Sequence, residues 1–340
     1  MKPRIVVTQG DLGGIAPEVL LHCLADSAAR ESCSPLILGH IDYLKDVAAR
    51  SEISIELRAV STPAAGFALA ASQPMVVPVL ELSSPQPSAQ VGVPNAQFGA
   101  AAVEAVSKAT RLCLDGDADA MLTPPVNKES MHLAGFDYEG QTQLIGETCD
   151  SDSYGMLACA GELKVWIATR HMSLSDAIKT LTVDYLTEQI RVAHFAAREV
   201  LRIENPRVAI AGLNPHAGEN GAFGDEERRV ILPAIESARQ QFGLTTIGPL
   251  APDVVFSEGA QGKHDAVIAL YHDQAFIALK MLPREQANSL FVGADILRLS
   301  PMHGSAYDIA RQQKADARPL LYCLQQAVRL VAQRQLTAST

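Results

Sequence analysis

The sequence is poor in the features that mark several large classes of protein. None of its six cysteines (Cys23, Cys33, Cys113, Cys149, Cys159 and Cys323) pairs in a CxxC spacing, so neither a disulfide framework nor a thiolate zinc site is indicated. The thiols read as small buried hydrophobes. No apolar run approaches the roughly 20 residues of a membrane span. Ile5-Val6-Val7, behind Met1-Lys2-Pro3-Arg4, is too brief for the core of a signal peptide. A cytoplasmic protein with no membrane partner is expected. Lysine and arginine number 28 against 38 acidic residues, a formal net charge of −10. That balance argues against nucleic acid as a partner, because displacing counterions needs a basic face. A small anionic ligand would need a local cationic pocket. Glycine spacing also falls short of a recognisable phosphate loop, since Gly10-Asp11-Leu12-Gly13-Gly14 is neither GxGxxG nor a P-loop.

What is present is a regular alternation of short apolar runs and helical periodicity. Arg4 to Thr8, Leu36 to Gly39, Met75 to Leu82, Ala118 to Thr123, Lys164 to Thr169, Arg207 to Leu213 and Asp265 to Tyr271 read as strands. Several are apolar on both faces, as in a covered, largely parallel sheet. Glu18 to Leu24, Asn95 to Leu114, Ser173 to Leu181, Asp184 to Leu201 and Asp225 to Gln241 read as helices, with Pro17 at a first helical position and Ser173 and Asp184 as N-caps. The fold class is α/β. Ser83 to Pro94 reads as a surface connection and Thr123 to Thr142 as a crossover between domains.

In open α/β sheets ligands bind beyond the carboxyl ends of strands. Three histidines sit there: His171 after Lys164 to Thr169, His216 after Arg207 to Leu213, and His272 directly after Asp265 to Tyr271. Three neutral imidazoles at one sheet edge suit a divalent ion with a position left open for substrate. Any one of them alone would as readily close a loop. Asp273 and Asp253 are candidates to orient a ligand imidazole or accept from substrate, Asp253 equally well being a turn residue. Asp225 to Glu227 complement a helix dipole and read as structural. Lys280 and Arg298, isolated beside apolar sequence, either grip a phosphate or carboxylate or are merely solvated. His303-Gly304-Ser305-Ala306-Tyr307-Asp308-Ile309-Ala310 is compatible with nucleotide contact.

In order and spacing, Thr8 to Glu18, Leu213 to Glu219, Asp265 to Gln274 and His303 to Ala310 resemble the segments that mark the PdxA family. The resemblance spans nearly the whole chain. It implies a two-domain fold of the isocitrate/isopropylmalate dehydrogenase type, with 1–135 plus 285–340 in the first domain and 136–284 in the second. It also implies His171, His216 and His272 as ligands to Zn2+ (or Mg2+, Mn2+ or Co2+) in a homodimer whose active site lies at the interface, one ligand coming from the partner subunit. His303, Gly304, Ser305, Ala306 and Asp308 would contact NAD or NADP. Gln141, Thr142, Lys280, Ser289 and Arg298 would contact an anionic substrate, and Lys280, Asp253 or Asp273 would move protons. The implied reaction is NAD-dependent, metal-assisted oxidation and decarboxylation of a small 3-hydroxy acid.

The chain departs from the family's biosynthetic pattern at four places. Gly140-Gln141-Thr142-Gln143 stands for Gly-His-Thr-Glu, Ser289 for an asparagine and Arg311 for a glycine, and Thr8 to Gly14 lacks the usual prolines. Such changes point to a paralogue acting on a phosphorylated sugar acid or the terephthalate cis-dihydrodiol dicarboxylate. Phosphohydroxythreonine would then be a poor substrate. The rival classes are a metal-dependent hydrolase, which needs no nucleotide, and a non-catalytic metabolite-binding protein, which needs no metal.

Overall fold

The computed structural model describes residues 2–151 and 153–337, which form two compact units. The first holds the residues up to Gly155 together with those from Asn288 onward, and the second holds Met156–Ala287. Among the described residues no helix is long and apolar enough to cross a membrane.

The first unit contains β1 (Arg4–Thr8), β2 (Ser34–Leu38), β3 (Glu56–Val60), β4 (Val76–Leu80), β5 (Ala120–Leu122), β11 (Ala287–Val292) and β12 (Arg298–Pro301). They lie in the order β3-β4-β2-β1-β5-β12-β11, parallel except where β11 runs against β12. β2 and β4 are buried at every residue, as strands covered on both faces must be. The helix Ala96–Leu114 is capped by the Asn95 side chain, which accepts from the Gln97 amide. It buries Phe98, Ala101, Ala105, Ala109 and Leu112, a stripe at three- and four-residue intervals that faces the sheet. The helix Gln141–Thr148 packs on it. For that reason the chain first leaves this unit at Gly155 rather than at residue 135.

The second unit contains β6 (Gly155–Ala160), β7 (Leu163–Ile167), β8 (Val208–Ala211), β9 (Thr246–Leu250) and β10 (Ala266–Ala269), in the order β6-β7-β10-β8-β9. Only β6 is antiparallel to its neighbour. Ser173 caps its helix as expected, accepting from the Asp176 amide. Two other end positions differ from the sequence reading. Thr182, not Asp184, caps the helix Val183–Phe195, because its hydroxyl reaches the Tyr185 amide. Pro17 is the second residue of Ala16–Ala25 rather than the first.

His194 is 4% exposed and its Nε2 lies 3.0 Å from the Thr246 hydroxyl. Burial, with Arg198 nearby, lowers its pKa from 6.5 to about 4. Above pH 6.5 the ring is neutral in both states and folding is unaffected. Below it the unfolded chain takes up the proton first, so stability falls as pH drops towards 4. At the lower end the loss is on the order of 3 kcal/mol. His194→Leu is expected to flatten the decline of melting temperature between pH 6.5 and 4; an unchanged slope would show that this imidazole is not the acid-sensitive group.

Candidate active site

In the second unit β7, β10 and β8 are parallel neighbours in register, Val165 and Val208 both flanking the Ala266–Val267 pair of β10. Their carboxyl ends therefore open on one edge, and each delivers a histidine there. The rings of His171 and His272 stand 5.9 Å apart between centroids at 44°. His272 stacks on Phe276 at 4.3 Å, and its Nδ1 lies 2.8 Å from Asp273 Oδ1. That contact engages Nδ1 with a carboxylate acceptor, the partner a ligand imidazole usually has behind it. His216 is exposed on its own turn, 6.3 Å from the Phe223 ring. Among the described residues no three His, Cys, Asp or Glu side chains of one chain gather closely enough to hold a metal.

Three strand ends are tied together by a buried hydrogen-bonded chain. The Thr169 hydroxyl after β7 donates to the Leu270 carbonyl after β10 at 2.7 Å. The Leu270 amide donates to Gln274 Oε1 at 2.7 Å, and Gln274 Nε2 donates to the Gly212 carbonyl after β8 at 2.8 Å. Thr169 and Gln274 are both buried, so these bonds are sheltered from competition with water. Composition and spacing gave no sign of either role. Gln274 is visible in sequence only as part of Tyr271-His272-Asp273-Gln274.

The His216 turn is strained. His216, Ala217, Glu219 and Asn220 have φ of 52°, 52°, 41° and 57°, with Gly218 at 81° between them. Left-handed backbone costs a residue with a side chain about 1 kcal/mol or more. Four such residues within a run of five must be held by their surroundings.

Asp253 is exposed in the first turn of Pro252–Ala260 and, with Asp273, Pro252, Phe256, Ile277 and Leu282, lines a cavity of about 490 Å³. Lys280 Nζ lies 5.6 Å over the Phe276 ring, at the far end of the helix His272–Lys280 that begins with His272.

The first unit holds the other candidates. Asp11 is fully buried, accepts the Gly13 amide at 2.9 Å and accepts the Tyr307 hydroxyl. Burial raises its pKa against these hydrogen bonds, and burial together with Asp11 raises that of Tyr307. The Tyr307 oxygen also lies 3.1 Å from the Ser130 hydroxyl. The Ile15 amide donates to the Ser305 carbonyl at 2.9 Å, and a Cβ on Gly14 would stand 2.3 Å from that same oxygen. Only glycine lets the two loops approach so closely. Within the second loop Ala306 is left-handed at φ 45°, and His303 Nε2 is buried without a hydrogen-bond partner, while the buried Ser305 Oγ lies near the Asp11 carboxyl but outside hydrogen-bond geometry. Orphaned polar atoms in a loop of small residues fit a nucleotide that would satisfy them. Gly304 and Asp308 are exposed on the same loop.

Arg298 is not a solvated cation: it is only 3% exposed, with Nε donating to Thr123 Oγ1 at 2.8 Å. Among the described residues no carboxylate pairs with it, and burial lowers its pKa to about 10. Ser289, on the adjacent strand β11, is 6% exposed and lies opposite Ser300, two residues along β12 from Arg298. The Gln141 amide nitrogen donates to the Pro124 carbonyl at 3.1 Å while its Oε1 is buried and unpartnered; Thr142 follows it in the helix. Gln143 is spent locally, accepting from the Glu139 amide and donating to Glu147.

Comparison with known proteins agrees over most of the length. The family profile described as "Pyridoxal phosphate biosynthetic protein PdxA" matches residues 31–327. A 4-hydroxythreonine-4-phosphate dehydrogenase of Geobacter metallireducens is 38% identical over 93% of this chain and 92% of its own. A D-threonate 4-phosphate dehydrogenase of Salmonella typhimurium is 37% identical over 96% of this chain and 98% of its own. The crystal structure of 4-hydroxythreonine-4-phosphate dehydrogenase from Klebsiella pneumoniae superposes with a TM-score of 0.86 at 35% identity, covering 97% of this chain and 98% of that one.

Proposed function

Because the chain belongs to the PdxA family, we propose that it is an oxidoreductase acting on a small phosphorylated 3-hydroxy acid, with NAD or NADP as hydride acceptor and loss of CO2 after oxidation. The observation that carries this reading is the edge of the second unit, where β7, β10 and β8 present His171, His272 and His216. The 5.9 Å between the His171 and His272 rings is near the ~5 Å expected of two imidazoles on one tetrahedral ion. His171 and His272 of one chain would hold the ion, with the third imidazole, His216, supplied by a second copy. Zn2+ suits three imidazoles best. When bound, such an ion acidifies a substrate hydroxyl and polarises the ketone that replaces it, which eases decarboxylation.

The chain's own residues have separate tasks. Asp273 holds the His272 ring by Nδ1, leaving Nε2 as the nitrogen for the ion. Arg298, buried with no carboxylate beside it among the described residues, would bind the substrate's phosphate, because a buried charge is stable only when paired. Lys280 or Asp253 would exchange protons with substrate and water. His303 Nε2 and Ser305 Oγ would meet the nucleotide. Two relatives are named for phosphate monoesters, which favours a phosphorylated four-carbon acid over an aromatic dicarboxylate. Gln143 offers no charge to a substrate ammonium and is used locally, by the Glu139 amide ahead of its helix and by Glu147 within it. That favours D-threonate 4-phosphate over phosphohydroxythreonine.

Dialysis against a chelator is expected to abolish NADH formation from D-threonate 4-phosphate, and Zn2+ to restore it. Turnover without nucleotide would favour the hydrolase, and nucleotide reduction indifferent to the chelator would refute the metal assignment.

A further inference from the structure

Glu227 is 6% exposed and stands where the chain enters the helical segment after the His216 turn. Its Oε1 accepts the amides of Leu213 and Asn214, both at 2.8 Å, and its Oε2 accepts Asn214 Nδ2 at 2.9 Å. A Cβ on Gly218 would stand 2.7 Å from Oε2, so the carboxylate lies directly against the middle of the left-handed run. Asn214 is gripped a second time by Glu226 at 2.7 Å, a contact that holds the Glu226 carboxyl below its ordinary range. The acidic start of this helical segment thus does more than complement a dipole. One buried anion collects three N–H groups from the two residues that lead into the turn, and charge-assisted bonds of this kind are the strong ones.

We propose that Glu227 is a positioning residue for His216: its carboxylate holds the left-handed turn in the conformation that presents the imidazole. The turn's backbone is unfavourable by itself, so with the clamp removed it relaxes towards ordinary conformations and the imidazole leaves its place. The proposal rests on His216 being a metal ligand only for its functional consequence; the clamp itself is testable without metal.

The test uses the full chain with Glu227→Ala and Glu227→Gln. In metal-free protein, hydrogen exchange of the peptide 213–221 is expected to quicken about tenfold or more in Glu227→Ala, with the helix 183–195 unchanged. Glu227→Gln, which keeps one acceptor oxygen for the Leu213 and Asn214 amides, should recover most of the protection. Zn2+ affinity, measured by calorimetry, should fall about 10- to 100-fold in Glu227→Ala, the range found when a ligand's support is removed. Protection of 213–221 that stays at the wild-type level in both variants would overturn the proposal. So would loss of protection spread evenly over residues 156–287, or Zn2+ binding as tight in Glu227→Ala as in the wild type. A wild-type protein that binds no divalent ion would instead refute the metal reading above, and the exchange result would still decide the role of Glu227.

Discussion

Arg298→Met should melt at or above the wild-type temperature while losing about a hundredfold in kcat/KM for a phosphorylated substrate. The two effects share one cause. The guanidinium is 3% exposed, hydrogen-bonded to Thr123 and, among the described residues, without a carboxylate. Its pKa, lowered from 12.5 to about 10, states how much the fold disfavours the charge. Below pH 10 both folded and unfolded forms are protonated, so the penalty is fully present at neutral pH and is relieved only as pH rises from about 10 towards 12.5. Its size is on the order of 3 kcal/mol. A methionine fills similar volume without a charge, and replacing uncompensated buried charge by apolar side chains is commonly neutral or stabilising. The kinetic loss corresponds to one charge-assisted anion contact, about 2 to 3 kcal/mol. A variant that melts lower and keeps its kcat/KM would show that Arg298 is a structural residue. Added phosphate should raise the wild-type melting temperature and leave that of the variant unmoved.

His216→Ala and His272→Ala should each lower kcat by about a thousandfold or more, and mixing the two inactive proteins should restore activity. Among the described residues His171 and His272 approach each other within one chain whereas no third ligand joins them; on the proposed reading a second copy supplies His216, and mixing tests that. In a symmetric dimer built from one subunit of each variant, one site receives both lost imidazoles from intact donors and the other receives neither. With random reassociation half of the dimers are mixed, and roughly a quarter of wild-type activity returns. If each chain held its own three ligands, mixing would restore nothing.

Much of this was legible before the fold was seen. The three histidines stood out because each follows an apolar, β-branched run, and runs of that kind can hardly be anything but covered strands. Five strands carry weaker signals. β3 is Glu-Leu-Arg-Ala-Val with an exposed face, β6 is rich in alanine and glycine, β9 contains Gly248-Pro249, β11 opens on Ala-Asn-Ser before its apolar end, and β12 begins with the buried arginine. Missing β12 also hid the burial of Arg298, since a cation beside apolar sequence looks the same whether it lies at a pocket rim or inside a sheet. The Thr169–Leu270–Gln274–Gly212 chain depends on contacts between separate strand ends, and the clamp by Glu227 on a contact across the 13 to 14 residues of one connection. Local periodicity carries no trace of such contacts.

The most direct measurement is NADH formation with D-threonate 4-phosphate beside unphosphorylated D-threonate and phosphohydroxythreonine, with Zn2+ present and CO2 release followed in parallel. The expected result is kcat/KM of about 10⁴ M⁻¹s⁻¹ or above for the phosphate ester, with one CO2 for each NADH. D-threonate should be at least about a hundredfold slower, and phosphohydroxythreonine should fall between the two. Equal rates with and without the phosphate, or phosphate release with no nucleotide reduced, would contradict it.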